Sequence, residues 1–354
     1  MFYDARFYEF QALQEQAKIA PIKINVRLPH SLKRPKEWPE VDGIQEIDGD
    51  EWVIEIKSEP LDKNKMAEVL NDRTKLLKTY GFHKLRLIAP RFEKTYDRVN
   101  DIEVECVEFV PNIKLINDFY ANWSPQLPER FAMELRTGWH NFRYRMAKRA
   151  KKHAQRFLNQ VDKRISSIKD LKEDILRLSQ GKNPPVKVYW SALRYLDPKQ
   201  LYYRKSSNYV LGGLLVFDVD GLKIHYNMFP CTINGMGICE YCVRFSKMHL
   251  LKLMNVLEKE YKFSDFEIVF TGRKGFHLYV FDAKETTIDK QFRSKVLHRL
   301  RELRIKVDEA VTADLKRVIS FPTSLNAETM FPISILNVEH IDSFSPAKIR
   351  KWED

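Results

Sequence analysis

The most constraining feature of this chain is an apolar run that ends in two aspartates. Residues 210–220 read Val-Leu-Gly-Gly-Leu-Leu-Val-Phe-Asp-Val-Asp. Because side chains alternate along a β-strand, Asp218 and Asp220 are predicted to point to the same face. Two converging carboxylates repel each other unless a proton or a hard cation lies between them. The run therefore predicts a buried strand with a Mg²⁺ or Mn²⁺ site at its end, although Asp-x-Asp followed by Gly221 is also common in turns.

The composition is that of a globular protein with enough chain for two domains. Of its 354 residues, 44% are hydrophobic and 31% are charged, which allows one large and one small domain with ordinary cores. No apolar stretch is long enough to cross a bilayer, and the first residues lack the basic-then-apolar form of a signal peptide. Four cysteines, three of them clustered, favour a reduced compartment over a disulfide scaffold. We expect no membrane partner and a cytoplasmic location.

The net charge of +12 is unevenly distributed along the chain. Residues 1–112 contain 18 Lys and Arg against 21 Asp and Glu, whereas the remainder contains 42 against 27. A basic excess favours a polyanionic partner such as nucleic acid, since each phosphate contact releases counterions; surface charge for solubility is the alternative. The asymmetry suggests two parts with different roles. Pro111 marks a plausible boundary, which predicts domains at 1–112 and 113–354.

The hydrophobic pattern predicts an α/β (α+β) fold. In the first part the predicted elements are a helix at 2–19, a strand at 51–57, a helix at 65–80 and strands at 84–89 and 102–109. Residues 113–185 are predicted to be mostly helical, and their basic run at 143–156 offers either a solvated helix face or a nucleic-acid surface. A strand is predicted at 186–192, before the Asp218 strand; beyond that strand, the predicted elements are strands at 266–270, 277–281 and 317–321 and helices at 246–261 and 290–303.

A glycine-bounded turn between two predicted strands is a candidate phosphate site. It reads Thr271-Gly272-Arg273-Lys274-Gly275-Phe276-His277. Glycines let backbone amides approach an anion closely, and Arg273 and Lys274 offer charge-assisted hydrogen bonds to phosphate oxygens. The same residues also suit an exposed hairpin turn, and His277 is equally compatible with a core position.

Three clustered cysteines predict a zinc site. Cys231, Cys239 and Cys242 follow the aspartate pair, and the last two form a Cys-x-x-Cys motif whose spacing suits tetrahedral Zn²⁺. His225 or His249 is available as the fourth ligand, and His225 is favoured. A redox pair is the alternative. We expect a zinc-stabilised insertion at about residues 225–245 that performs no chemistry.

Taken together, these motifs resemble the small catalytic subunit of archaeal and eukaryotic DNA primases and the wider primase-polymerase superfamily. The resemblance covers roughly residues 115–340 and rests on order and spacing. Val188-Tyr189-Trp190-Ser191 comes first, followed by the aspartate strand, the cysteine insertion and the 271–277 turn. Asp308, weak as a candidate by pattern alone, then precedes Pro322-Thr323-Ser324-Leu325 by fourteen residues.

The resemblance implies roles for these residues. The metal-binding triad of nucleotidyl transfer would be Asp218, Asp220 and Asp308, with two Mg²⁺ or Mn²⁺ ions that activate a 3′-hydroxyl and steady the leaving pyrophosphate. The incoming triphosphate would be held by Thr271 (where the family usually has Ser), Arg273, Lys274 and His277. The substrates would be NTPs or dNTPs and a single-stranded DNA template. A primase large subunit or other replication proteins are candidate partners.

Two positions depart from the family. Ser320 stands where the family usually has Lys or Arg, and Asn326 stands where it usually has His; both positions commonly contact the triphosphate. Lys316 shares the predicted strand face of Ser320 but lies roughly 13 Å away at the usual strand rise, too far to replace the missing cation. We therefore expect weaker nucleotide affinity with the same reaction type, because all three aspartates are present.

The first part of the chain resembles a restriction-endonuclease-like (PD-D/E-x-K) domain. The resemblance rests on Asp42 and on Glu55-Ile56-Lys57 in a predicted strand. It implies that Asp42 and Glu55 hold a divalent metal while Lys57 stabilises or positions the attacking water. A charged strand face, or an inactive domain of this fold kept for binding or docking, would show the same residues.

We therefore predict a small α/β nuclease-like domain followed by a primase-polymerase catalytic core with a zinc-binding insertion. The predicted function is template-directed nucleotidyl transfer with release of pyrophosphate. Two alternatives stay open: a metal-dependent nuclease whose polymerase half is degenerate, and a non-catalytic nucleic-acid-binding protein.

Overall fold

The computed structural model describes residues 2–28, 39–149, 157–160, 162–199, 209–220, 231–233, 237–283 and 289–349. The chain divides into two compact units. The first contains Met1–Asn112, Lys148–Ala154 and Ile224–Cys239, and the second contains Ile113–Ala147, Gln155–Lys223 and Glu240–Asp354. Within the described ranges, no helix is both long and apolar enough to cross a membrane.

The two units mix helices and strands, as the predicted fold class requires. In chain order the helices are α1 (Ala5–Ala17), α2 (Lys63–Thr79), α3 (Ile113–Asn122), α4 (Glu129–Thr137), α5 (Ile168–Ser179), α6 (Glu240–Tyr261), α7 (Lys290–Glu302) and α8 (Glu309–Ala313). The strands are β1 (Phe2–Tyr3), β2 (Ile22–Arg27), β3 (Glu40–Ile47), β4 (Asp50–Ile56), β5 (Lys84–Ala89), β6 (Arg98–Val99), β7 (Ile102–Glu108), β8 (Phe142–Met146), β9 (Lys148–Arg149), β10 (Leu158–Gln160), β11 (Pro185–Ser191), β12 (Leu193–Tyr195), β13 (Val210–Gly213), β14 (Leu215–Asp220), β15 (Cys231–Ile233), β16 (Phe266–Phe270), β17 (Gly275–Val280), β18 (Val318–Ser320), β19 (Leu325–Asn326), β20 (Phe331–Pro332) and β21 (Ser334–Leu336).

A seven-stranded sheet forms the centre of the first unit, in the order β15-β2-β3-β4-β5-β7-β6. Strands β2, β3 and β4 are antiparallel, whereas β5 runs parallel to β4 and β7 runs parallel to β5. Two parallel neighbours need a crossover connection, and α2 supplies it between β4 and β5. Strand β15, which comes much later in the chain, adds to the free edge of β2 with Cys231 opposite Ile24.

Helix α2 packs on this sheet because one of its faces is apolar. The helix begins after Asp62, whose side chain accepts a hydrogen bond from a first-turn amide. Met66, Leu70 and Leu77 recur at helical spacing, are fully buried and belong to the same core cluster as the apolar side chains of β5. Burial of each such side chain stabilises the fold by about 1.5–3 kcal/mol.

The second unit contains two four-stranded antiparallel sheets, ordered β10-β8-β11-β18 and β14-β17-β16-β21. Trp190 of β11 is fully buried. Its indole ring lies 5.3 Å from the ring of Phe321, which follows β18, and 6.4 Å from the ring of Tyr279 on β17. This aromatic cluster holds β11 of one sheet beside β17 of the other.

The predicted helical conformation of the basic run is wrong. Phe142–Met146 form strand β8 and Lys148–Arg149 form β9, while the rest of the run lies outside the described residues. Phe142 and Tyr144 are fully buried, and they alternate with arginines on the opposite face of the strand. This two-residue period is the strand signal, and the density of positive charge concealed it. Helices α3, α4 and α5 occupy other parts of residues 113–185, as predicted.

Candidate active site

Asp218 and Asp220 lie on strand β14 and alternate with a buried side chain, as predicted from the sequence. Asp218 and Asp220 are partly exposed, and Val219 between them is buried. Strand β17 pairs antiparallel with β14, so that Asp218 lies opposite His277 and Asp220 lies opposite Gly275. The register of the two strands therefore places the glycine-bounded turn directly beside the carboxylates.

Two hydrogen bonds dock the short helix α8 along β14 and bring in the third aspartate. Asp308 caps the helix, and its Oδ1 accepts a hydrogen bond from the Ala310 amide at 3.1 Å. The amide of Asp308 itself donates to the carbonyl oxygen of Asp218 at 2.7 Å. Near the other end of the helix, the Thr312 hydroxyl donates to the Val216 carbonyl at 2.9 Å. Asp308 is thus held beside the Asp218 pair although it lies far along the chain.

The three carboxylates of this cluster repel one another. Burial, followed by the negative charges of Asp220 and Asp308, raises the pKa of Asp218 to about 8. The positive charges of Lys187 and Arg317 oppose this rise in pKa, and the Arg317 guanidinium lies 3.7 Å from an Asp308 oxygen. A divalent cation that replaced the proton would relieve the repulsion, so these residues fit a metal of the Mg²⁺ or Mn²⁺ type.

His277 is buried and uncharged next to this cluster. Its Nε2 lies 3.9 Å from Asp218 Oδ1, which is too long for a hydrogen bond. Burial and the positive charge of Lys187 lower the pKa of His277 to about 3. Its Nδ1 has no hydrogen-bond partner among the described residues. A neutral imidazole keeps one N–H, so His277 can donate a hydrogen bond to an anionic oxygen.

The turn between β16 and β17 depends on its two glycines. Gly272 has a φ of +77°, and a Cβ built there would lie 2.9 Å from Asn326 Cβ. A Cβ on Gly275 would lie 2.8 Å from the carbonyl oxygen of Val219 in β14. The amide and hydroxyl of Thr271 both donate to the Gly275 carbonyl, at 3.0 and 3.1 Å, and close the turn. Only glycine therefore allows the turn to lie so close to the aspartate strand.

The two cations of the turn are mostly buried. Lys274 is 8% exposed, and its carbonyl oxygen accepts a hydrogen bond from the Ser246 hydroxyl of α6 at 2.7 Å. The guanidinium of Arg273 donates from Nη1 to Glu328 Oε2 at 3.0 Å. Partial burial strengthens the interaction of such cations with an anion, because water screens them less.

A buried carboxylate that our sequence analysis missed organises further cations. Glu328 has no exposed side-chain surface and forms three ion pairs, with Arg145 at 2.6 Å, Arg273 at 3.0 Å and Lys187 at 3.6 Å. Removal of one partner from a buried pair costs about 3–5 kcal/mol. The four residues therefore act as one unit beside the turn.

Asn326, at the position where the family usually has His, forms two hydrogen bonds within the protein. Its Nδ2 donates to the Thr271 carbonyl at 2.9 Å, and its Oδ1 accepts a hydrogen bond from the Glu328 amide at 3.3 Å. Asn326 thus ties the turn to the segment that carries Glu328. Ser320 lies on β18 opposite Tyr189 of β11.

The three clustered cysteines come together. Their sulfur atoms all lie within 4.8 Å of one another, and all three residues are buried. The thiols form no disulfide. His249 is not part of the set, and its Nδ1 accepts a hydrogen bond from the Lys306 amide at 3.2 Å. His225 lies outside the described residues. Three buried thiols fit Zn²⁺ as a donor set.

The predicted nuclease residues lie together at the ends of β3 and β4. Asp42 Oδ2 accepts a hydrogen bond from the Ile56 amide at 2.7 Å. Glu55 Oε1 lies 2.6 Å from Lys57 Nζ and 2.8 Å from a guanidinium nitrogen of Arg73. Arg73 was not predicted, since nothing in the spacing of α2 separates it from other surface cations.

The two acids of this second cluster are withdrawn from water, Glu55 fully and Asp42 in part. Burial, then the charges of Glu55 and Glu9, raises the pKa of Asp42 to about 8. Glu55 Oε2 is buried and has no hydrogen-bond partner in the part of the chain that the structure describes. A cavity of about 450 Å³ adjoins the cluster and is lined by Lys57, Arg73 and several acidic side chains. These residues fit a divalent cation, and Glu9 of α1 is an acid that the motif search missed.

Known proteins resemble the part of the chain that contains the aspartate pair and the turn. The family model of the DNA primase small subunit matches residues 217–300, which include the aspartate pair and the turn. The DNA primase small subunit PriS of Pyrobaculum calidifontis is 26% identical over 219 residues, 50% of this chain and 68% of that protein. An uncharacterized DNA primase small subunit-like protein of Archaeoglobus fulgidus is 30% identical over 140 residues, 38% of this chain and 49% of that protein. The chain is related to DNA primase small subunits.

The predicted primase resemblance is therefore confirmed, although the aligned parts span only 49–68% of these primase relatives. The polymerase domain of Mycobacterium tuberculosis Ligase D, solved in complex with DNA, matches at 14% identity with a TM-score of 0.38, covering 67% of this chain and 85% of that chain. The family-model match ends before Asp308 and does not include Asp42, Glu55 or Lys57. The role of Asp308 and the nuclease-like resemblance stay predictions.

Proposed function

We propose that this chain is a template-directed nucleotidyltransferase of the primase-polymerase type, with a catalytic domain at 113–354 and a smaller domain at 1–112. The observation that carries the proposal is the register of β14 and β17, which sets a repelling set of carboxylates beside a cationic, glycine-bounded turn. Nucleotidyl transfer needs both parts in contact, because the reacting α-phosphate lies between the metal-binding acids and the groups that hold the β- and γ-phosphates.

In the proposed reaction the 3′-oxygen of the growing strand bonds to the α-phosphorus and the bond to pyrophosphate breaks. Asp218, Asp220 and Asp308 would hold two Mg²⁺ or Mn²⁺ ions, whose charge makes the hydroxyl more acidic and stabilises the leaving pyrophosphate. Arg273 and Lys274 would neutralise the β- and γ-phosphates. His277, neutral and buried, would donate a hydrogen bond to a phosphate oxygen.

The expected substrates are NTPs or dNTPs and a single-stranded DNA template, with a primase large subunit or other replication proteins as candidate partners. The cysteine cluster would hold a structural Zn²⁺. Cysteine usage leads us to expect a cytoplasmic location.

Primer extension with Mn²⁺ on a single-stranded template tests the proposed transferase activity. The wild-type chain should extend a labelled primer, and the double variant Asp218→Ala/Asp220→Ala should lose at least about a thousandfold in rate, because neither metal would be held. Glu302→Gln, which changes an exposed acid of α7, is the matched control and should retain full activity.

Extension by neither protein would contradict the transferase proposal and favour a degenerate polymerase half or a non-catalytic nucleic-acid-binding protein. Equal extension by the wild type and the double variant would show that another centre is responsible.

A second activity, metal-dependent DNA cleavage, is favoured by the neighbouring acids Asp42 and Glu55 and by Glu55 Oε2, which is buried and has no hydrogen-bond partner among the described residues. We propose that Asp42 and Glu55 would hold a divalent cation there. Lys57, whose ammonium contacts Glu55 at 2.6 Å, would stabilise the attacking water.

Cleavage of supercoiled DNA with Mg²⁺ tests this second activity. Lys57→Ala should abolish nicking and leave primer extension unchanged, whereas Lys75→Ala, an exposed lysine of α2 outside the cavity lining, should affect neither. Cleavage that survives Lys57→Ala would refute a nuclease centre at this cluster. Binding without cleavage in the wild type would favour a docking domain.

A further inference from the structure

Ser320 leaves one side of the candidate phosphate site without the cation that the primase resemblance led us to expect. Ser320 of β18 pairs with Tyr189 of β11. Directly opposed residues of an antiparallel pair project to the same face of the sheet. Lys187, two residues before Tyr189, shares that face because side chains alternate along a strand. A lysine on the neighbouring strand therefore lies on the same side of the sheet as Ser320.

Lys187 and Arg273, a residue of the phosphate turn, both contact Glu328. The Lys187 ammonium nitrogen lies 3.6 Å from Glu328 Oε2, and Nη1 of Arg273 lies 3.0 Å from the same oxygen. The two cations thus flank a single atom, and one of them belongs to the turn. Each side chain is only 14% exposed, so water screens their charges little.

The turn that shares Glu328 with Lys187 lies directly beside the metal-binding acids. In the pairing of β14 and β17, Asp220 lies opposite Gly275, which ends the turn, and Asp218 lies opposite His277. A triphosphate that extended from the metal-binding acids to Arg273 would therefore end beside the Glu328 oxygen that Lys187 also contacts.

Three cations converge on the carboxylate of Glu328. Arg145 is buried and lies 2.6 Å from Oε1, so it is the closest of the three. Lys187 and Arg273 share the other oxygen, Oε2. The 3.6 Å separation between Lys187 and Glu328 exceeds a hydrogen bond, so Glu328 orients the ammonium by charge.

We propose that Lys187 binds the triphosphate of the incoming nucleotide and replaces, from β11, the cation that is missing at Ser320. Glu328 is the positioning residue that holds Lys187 and Arg273 on either side of its carboxylate. This inference rests on the proposed nucleotidyl-transfer function. It also revises our expectation from the sequence that nucleotide affinity is weak.

Nucleotide titrations in the primer-extension assay test the role of Lys187. Loss of one charge-assisted hydrogen bond should raise the KM for the nucleotide about 10- to 100-fold in Lys187→Ala, with the KM for DNA unchanged. Lys187→Ala/Ser320→Lys should recover most of this loss, because the cation returns from the adjacent strand. Lys316→Ala is the charge-matched control and should change the KM by less than about twofold.

Glu328→Gln tests the positioning role by separating KM from kcat. The KM for the nucleotide should rise while kcat at saturating nucleotide stays nearly constant, since the cations remain but are no longer oriented. Thermal denaturation of each variant monitors folding. A purely structural role of Lys187 predicts instead a lowered Tm, losses in kcat and in both KM values, and no recovery with Ser320→Lys; that result would overturn the inference.

Equilibrium binding of a fluorescent ATP analogue with Mg²⁺, without DNA, separates the inference from the proposed function. Weaker binding by Lys187→Ala supports the inference even if the wild type extends no primer, in which case only the transferase proposal fails. Equal binding by both proteins, or no binding by the wild type, overturns the inference. An unchanged nucleotide KM in an active Lys187→Ala variant does so as well.

Discussion

At the scale of single residues, both units contain a partly buried aspartate that holds a proton near neutral pH. The pKa of Asp218 and that of Asp42 are each raised to about 8, first by burial and then by neighbouring acids. In an unfolded chain an aspartate has a pKa near 3.8. Each site therefore binds a proton on folding between about pH 4 and pH 8. A metal that takes the place of this proton binds more tightly as pH rises.

The metal-free chain should lose stability as pH rises from about 5 to 8. The folded state binds more protons than the unfolded state in this window, so the stabilising contribution of each raised pKa is present at low pH and lost towards pH 8. The slope is at most about 1.4 kcal/mol per pH unit for each group. Urea unfolding at several pH values should show this decline, and Asp218→Asn should remove part of it.

Two controls accompany the pH measurement. Mn²⁺ at pH 8 should restore stability to the wild type more than to Asp218→Asn. Asp101→Asn removes an exposed carboxyl whose pKa is lowered by Lys78, so it should not flatten the decline. A wild-type stability that rises steadily from pH 5 to 8 without metal would contradict the raised pKa values.

Residue spacing indicated the acids and the turn of the candidate site, which the structure brings together, but not the buried charges that lie beside them. Asp218, Asp220 and the 271–277 turn are local patterns that can be read within a few residues. Lys187 and Glu328 lie far apart in the chain, and each resembles an ordinary charged residue in its own segment. Only the pairing of β8, β11 and β18 brings Arg145, Lys187 and Ser320 to one face. The register of these three strands cannot be read from any one residue of the sequence.

At the scale of elements, the turn between β16 and β17 is positioned by close packing as well as by backbone conformation. Gly272→Ala should raise the nucleotide KM at least about tenfold and lower the Tm, because a Cβ at this position meets Asn326 Cβ at 2.9 Å and the Phe331 carbonyl at 3.1 Å. Nucleotide titration and thermal denaturation measure the two effects.

Gly181→Ala is the matched control for the turn. Gly181 also has a positive φ, +68°, but nothing lies within 4 Å of a Cβ built there. This variant should show only the backbone strain, about 1–2 kcal/mol, and an unchanged nucleotide KM. Equal effects of the two substitutions would show that close packing of the turn is unimportant.

Elements with a clear hydrophobic period were predictable, whereas charge-rich ones were not. The strands at 84–89 and 266–270 match the prediction at both ends, and α2 and α7 differ by only a few residues. The prediction for the basic run was wrong because its arginines suggested a solvated helix. The alternation of Phe142 and Tyr144 with arginines was the pattern that indicated a strand. Tertiary pairing of β8 with β10 and β11 decides the conformation there.

At the scale of the whole molecule, the chain returns to the first unit after it has built much of the second. Strand β15 pairs with β2 through Cys231 opposite Ile24 and Ile233 opposite Ile22. An unpaired β2 would leave an open sheet edge, which β15 covers. The seven-stranded sheet therefore depends on residues that the sequence pattern placed in an insertion of the catalytic domain.

Removal of zinc should loosen this sheet edge. If the thiols hold Zn²⁺, Cys231 fixes one end of β15. A strong zinc chelator should then lower the hydrogen-exchange protection of the β2 amides that pair with β15, while the β4–β5 pairing stays protected.

Cys231→Ser should show the same pattern and lose the bound zinc. Cys106→Ser changes a partly exposed cysteine of β7 outside the cluster and should retain one zinc per chain. Zinc content that survives Cys231→Ser, or β2 protection that survives chelation, would contradict a zinc-stabilised edge.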